Sequence, residues 1–117
     1  MTHDERGAAT AELALAIPVL LSLTVGLVWL LGIGAAQVRM VDAAREAARA
    51  TARGDPVPEA EVRAEQIAPP GSRVVVVSRG AEVVSTASGS VRPAGGLLGF
   101  LPAVALHARA VAVRETP

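Results

Sequence analysis

The sequence predicts an α+β fold: a long N-terminal transmembrane helix continuing into a soluble half, a short second helix, and a three-stranded antiparallel β-meander. Three observations carry that class. No charged residue occurs between Glu12 and Arg39. An Ala- and Arg-rich stretch then runs to Arg53 with no helix breaker. Beyond two turn clusters, the remainder holds valine-rich runs punctuated by Gly and Pro, the pattern of short strands.

The apolar run comes first. Roughly two dozen helical residues at about 1.5 Å each give a rod of about 36 Å, enough to cross a hydrocarbon core of about 30 Å with some tilt. The span is placed at about 13–36, and residues 1–7 are a short polar tail expected to lack structure. Glu12 stands at the mouth of the span. A carboxylate there either serves a partner or sits among headgroups, where it favours the positive end of the helix dipole. Pro18 removes a backbone hydrogen bond inside the run, which membrane helices accommodate when neighbours re-satisfy the backbone. Gly32 and Ala36, four apart on one face, form a small-residue pair suited to close helix packing in lipid.

From 37 to 53 the helix continues as a soluble extension. Val38, Val41, Ala44, Ala48 and Ala52 mark a narrow apolar stripe, and Glu46 stands one turn from Arg49, within pairing reach. Gly54 offers a C-cap and Asp55-Pro56 blocks continuation, so the long helix occupies 8–54. Residues 55–117 make a small α+β domain. Within it, Pro58 to Ala68 reads as a second helix with Ala60, Ala64 and Ile67 on one face. Its acids Glu59, Glu61 and Glu65 read as a solvated face, with no His or Asp beside them to make a metal or acid–base cluster. Pro69-Pro70-Gly71 ends it.

The strands follow. Arg73 to Ser78 contains four consecutive valines, Arg79-Gly80-Ala81 turns, Glu82 to Arg92 returns, and Ala103 to Glu115 forms the third strand. One face of this meander is expected to cover the soluble half of the long helix. The connection Pro93 to Pro102 is apolar and Gly-rich. Its Leu97, Leu98, Phe100 and Leu101 are a possible contact with another subunit, with the membrane, or with the domain's own sheet.

Composition narrows the function classes. Formal net charge is zero and every basic residue is Arg, which gives no basic field for nucleic acid. Cys is absent, which removes disulfides, thiolate metal sites and a Cys nucleophile. No catalytic constellation, phosphate loop or metal set stands out, His107 is isolated, and no cofactor is implied. The chain reads as a non-enzyme.

The N-terminal residues carry a resemblance. Arg6-Gly7, Thr10, Glu12-Leu13-Ala14-Leu15 and Pro18, followed by Val41-Asp42-Ala43-Ala44-Arg45-Glu46-Ala47-Ala48-Arg49, resemble the TadE-like pseudopilins of tight-adherence (Flp-type) pilus systems, within the type IV pilin class. The likeness covers about the first half of the chain. It implies that 1–7 is a leader removed after Gly7 by a prepilin-type aspartic peptidase, with possible methylation of the new Ala8 amine. It implies that Glu12 pairs in charge with a neighbouring subunit's terminus during assembly. The implied partners are that peptidase, other pilin or pseudopilin subunits and membrane lipid. The implied location is a single pass through the cell membrane, N-terminus cytoplasmic before processing and C-terminal domain outside, either staying in the membrane or entering a pilus.

Two other readings remain open: a plain single-pass envelope protein whose exported domain binds a partner, and a secreted domain freed by signal peptidase near Gly34-Ala35-Ala36. Orientation is contested within the sequence itself. Arg39, Arg45, Arg49 and Arg53 follow the span, and the positive-inside rule would hold that side in the cytoplasm. The resemblance requires the reverse, with Asp42 and Glu46 offsetting the arginines.

Overall fold

The computed structural model describes residues 3–93 and 99–115. Element order is α1 (His3–Ala52), α2 (Val57–Ile67), β1 (Arg73–Arg79), β2 (Glu82–Val91) and β3 (Val104–Val113). The expected class and order hold: a long apolar N-terminal helix, a short second helix and a three-stranded antiparallel sheet. The chain divides into two compact units, Met1–Gly32 and Ile33–Pro117, and α1 contributes to both.

The first unit is helix alone. It begins at His3, so residues 3–7 of the tail expected to lack structure are helical. Nothing between His3 and Glu12 except Gly7 opposes helix, and Glu5 lies in the first turn, where an acid favours the positive helix end. The helix runs through Pro18. The hydroxyls of Thr10, Ser22 and Thr24 donate back to the carbonyls of Arg6, Pro18 and Leu20 at 3.0, 2.8 and 2.9 Å. Such back-bonding satisfies a hydroxyl within its own helix. The large apolar side chains of this unit lie open, Leu15 at 73% and Leu31 at 74%. α1 is long and apolar enough to cross a membrane, and its most apolar window has a mean hydropathy of 2.4.

The second unit opens with the last turns of α1, which end on a two-bond cap. The Asp55 amide donates to the Ala50 carbonyl and the Gly54 amide to the Thr51 carbonyl, both at 3.0 Å, with Gly54 at φ 104°. This is the Schellman arrangement, which needs a left-handed residue and so favours glycine at that position. α2 follows after Pro56, with Pro58 in its first turn, and ends at Ala68, whose amide donates to Ala64 at 3.0 Å. Pro69 to Ser72 then makes a turn closed by the Ser72 amide on the Pro69 carbonyl at 3.1 Å, with Gly71 at φ 82°. Proline second and left-handed glycine third is the type II pattern.

The sheet order is β1-β2-β3, all antiparallel. Arg79 faces Glu82 across a two-residue hairpin loop, with Gly80 at φ 61° in its first position, as type II′ turns require. Register aligns Val74, Ala87 and Ala108 in one row and Val76, Ser85 and Ala110 in the next. This face packs on α1, and the core gathers Ala36, Met40, Ala43, Ala44 and Ala47 from α1, Ala64 from α2 and Val74, Val83, Ala87 and Leu106 from the sheet. Gly89 lies where β2 passes closest to its surroundings. A Cβ there would stand 2.6 Å from Ser72 Oγ, 3.2 Å from Ser72 Cα and 3.2 Å from Met40 Cε.

The expected stripe on α1 is partly displaced. Ala44, Ala48 and Ala52 are buried and Val41 half-buried, but Val38 is 59% exposed and the buried arc centres on Met40, Ala43, Ala44 and Ala47. An alanine-rich helix offers little hydrophobic contrast between its faces, so spacing alone fixes the buried arc poorly. The expected Glu46–Arg49 pair is absent. Glu46 instead meets Arg53 at 3.8 Å, and Arg53 also meets Asp55 at 3.8 Å. Asp55 sits just past the cap and draws Arg53 into a cluster completed by Arg63 at 3.3 Å. These side chains keep 29–49% of their surface exposed, so solvent screens each pair, which stabilises by no more than about 1 kcal/mol.

Candidate functional site

The residues singled out near the N-terminus share one helical segment. Ala8 and Glu12 are four apart in α1 and so lie on the same face, one turn apart. Both are exposed, and among the described residues Glu12 has no hydrogen-bond or ion-pair partner. Gly7 is helical, with no positive φ, and a Cβ built on it meets no atom within 4 Å. The fold of the chain therefore makes no demand for glycine at position 7. In a helix interior glycine costs about 1 kcal/mol relative to alanine, so its presence weakens the helix where the resemblance expects cleavage.

The remaining expected positions are dispersed. Gly32 is exposed at the end of the first unit, and a Cβ there also meets nothing within 4 Å. Ala36 belongs to the second unit's core cluster. Of the apolar connection, Phe100 is 80% exposed and Leu101 half-buried, while Leu97 and Leu98 fall outside the described residues. His107 is exposed, and its backbone carbonyl accepts from the Gln37 side-chain amide at 3.1 Å. Arg39 Nε donates to the Ile67 carbonyl at 3.3 Å. Among the described residues no three His, Asp or Glu side chains are grouped so as to hold a metal ion.

One pair of acids has a role the sequence reading missed. Glu61 Oε2 accepts from the Val76 amide at 2.9 Å, and Glu65 Oε1 from the Val74 amide at 3.2 Å. Both carboxylates are half-buried, so the expectation of a solvated helix face is corrected for these two; Glu59 is exposed as expected. The signal was available as a matched spacing. Carboxylates four apart on a helix are about 6 Å apart along it, close to the repeat of alternate residues in a strand. A strand at the edge of a sheet leaves alternate N–H groups unpaired, and here the helix supplies their acceptors.

Comparison with curated proteins and with solved structures finds no match. The family model described as TadE-like protein matches residues 7–49, which takes in Gly7, Ala8, Glu12 and most of α1. That family is one of structural pilus components and suggests a Tad pilus-associated component in association with other pilus subunits. The match over residues 7–49, on a helix able to cross a membrane, supports a TadE-like assignment for this chain.

Proposed function

We propose that this chain is a pseudopilin: it is cut after Gly7 by a prepilin-type peptidase and then packs through its N-terminal helix among other subunits of a tight-adherence pilus or related secretion apparatus, its C-terminal domain outside the membrane. The observation that carries this reading is the placement of Gly7 and Glu12. Glycine is needed there by nothing in the chain's own packing. Cleavage on its C-terminal side would create a cationic Ala8 amine one helical turn from an unpartnered carboxylate.

The chemistry follows from those charges. An ion at the edge of a membrane is costly when unpaired and much less so when paired. A helical Ala8–Glu12 separation lets an amine and a carboxylate from neighbouring helices meet in fixed axial register, so Glu12 would set the step between subunits. The exposed leucines below it find lipid before assembly and other helices after it. Peptide-bond hydrolysis belongs to the peptidase; the chain is its substrate. The helical start at His3 adds one requirement, that the first turns unwind into the peptidase, and glycine lowers that cost by about 1 kcal/mol.

The mass of the membrane-bound chain tests this. The pseudopilin begins at Ala8, a plain anchor at Met1, and a domain freed by signal peptidase near Gln37. Gly7→Trp is expected to leave the chain full-length while the second unit folds as before. Glu12→Ala is expected to be cleaved normally yet to lose co-purification with its assembly partners. Retention of residues 1–7 in the native host would overturn the reading.

A further inference from the structure

The two edges of the sheet are treated differently. Along β1 the outward amides of Val74 and Val76 end on Glu65 and Glu61. Along β3 the alternation of the ladder decides which groups face out. Arg79 and Glu82 close a two-residue hairpin and are a hydrogen-bonded pair, so Val83, Ser85 and Ala87 turn their backbone groups toward β3, where Ala112, Ala110 and Ala108 receive them. Arg109, Val111 and Val113 therefore turn N–H and C=O away from the sheet. At one end of this stretch Gln37 takes the His107 carbonyl; at the other the Glu115 amide donates to the Ala52 carbonyl at 3.0 Å. Between them, among the described residues, no partner meets the three outward amides.

The side chains on this open stretch select a partner. Val111 and Val113 are 55% and 71% exposed, and Arg109 is exposed with no ion pair among the described residues. Natural sheets blunt such edges with proline, bulges, charged side chains or a covering helix or loop. Among the described residues, Arg109–Val113 carries the single charge of Arg109, and α1 hydrogen-bonds the edge at its two ends through Gln37 and Ala52. We infer that the outer edge of β3 over Arg109–Val113 is a strand-addition site for an extended segment of another protein, which pairs antiparallel and reads apolar–x–apolar–x–acid. In that direction its two apolar residues face Val113 and Val111 and its carboxylate faces Arg109, so the charge fixes the register that backbone bonding alone leaves free.

A second copy of β3 is the wrong occupant. β3 (Val104–Val113) contains no Asp or Glu, so a second β3 offers Arg109 no carboxylate in any register. The inference does not depend on cleavage after Gly7.

The test is amide hydrogen exchange on the full chain in detergent micelles, with and without a capped synthetic peptide Thr-Val-Thr-Val-Thr-Glu-Thr. The expected result is slowing of the Arg109, Val111 and Val113 amides by about tenfold at saturating peptide, with Val74 and Val76 unchanged. Val111→Pro, which removes an outward amide and leaves the bonds between β2 and β3 in place, should abolish the slowing while β2 amides stay protected. Arg109→Glu should lose the response to this peptide and gain one to the same peptide with Lys in place of Glu. Unchanged exchange at the three amides overturns the inference. So does slowing that grows with protein concentration in the absence of peptide, because the occupant is then a second copy.

Discussion

The first unit exposes its large apolar side chains and the second buries small ones. Leu15, Leu31 and Val19 stand at 73%, 74% and 66%, while Ala43, Ala44, Ala47 and Ala50 stand at 0%. The contrast reverses the usual link between residue size and burial, and it shows that α1 carries two packing modes in one helix. Up to Gly32 the helix presents large apolar side chains that no described residue covers. From Ile33 on it presents a nearly smooth alanine face, against which the sheet fits with Met40 and Val83 among the few larger side chains fully inside.

Substitutions that shrink or enlarge each mode sharpen that comparison. The largest effect is expected from Met40→Ala, which empties a fully buried site and should cost about 2–5 kcal/mol of the second unit's stability by chemical denaturation. Leu21→Ala, the equivalent deletion on the 61% exposed face, should leave that stability unchanged; a loss there like that of Met40→Ala would break the contrast. Gly89→Ala comes next, at about 1–3 kcal/mol, because the new methyl meets Ser72 Cα at 3.2 Å and backbone yields less easily than a side-chain end. The smallest is Glu61→Ala, which frees the Val76 amide from a half-buried carboxylate and should cost about 1 kcal/mol. Its clearer signature is faster hydrogen exchange at Val76 with Val83 unaffected.

The elements themselves were legible because each has local punctuation. Gly54 with Asp55-Pro56 marks the end of α1, Pro69-Pro70-Gly71 the end of α2, and Gly80 the hairpin; each glycine takes the positive φ that its motif requires. The one-turn relation of Ala8 and Glu12 was equally readable, since it is a distance along one helix. The partner of Glu46 was not, because Arg49 lies one turn on, within ordinary helical reach, whereas Arg53 lies seven residues on and meets Glu46 from the capped turn, where it also meets Asp55. The acceptors of β1 were missed for a similar reason. Glu61 and Glu65 look solvated until α2 lies beside the strand whose amides they receive.

By itself the sequence determined the long apolar helix, its charged continuation, the order of helix and strands and the spacing of glycine and acid at the N-terminus. All of these depend on residues near one another in the chain, where turn chemistry, helical rise and hydropathy act directly. Only the tertiary structure decided which arc of an alanine-rich helix is buried, why Gly89 must be small, and that one sheet edge is capped by carboxylates while the other is left open between Gln37 and Glu115. Those depend on residues distant in sequence, and a face made of alanine carries too little hydrophobic contrast to announce its partner in advance.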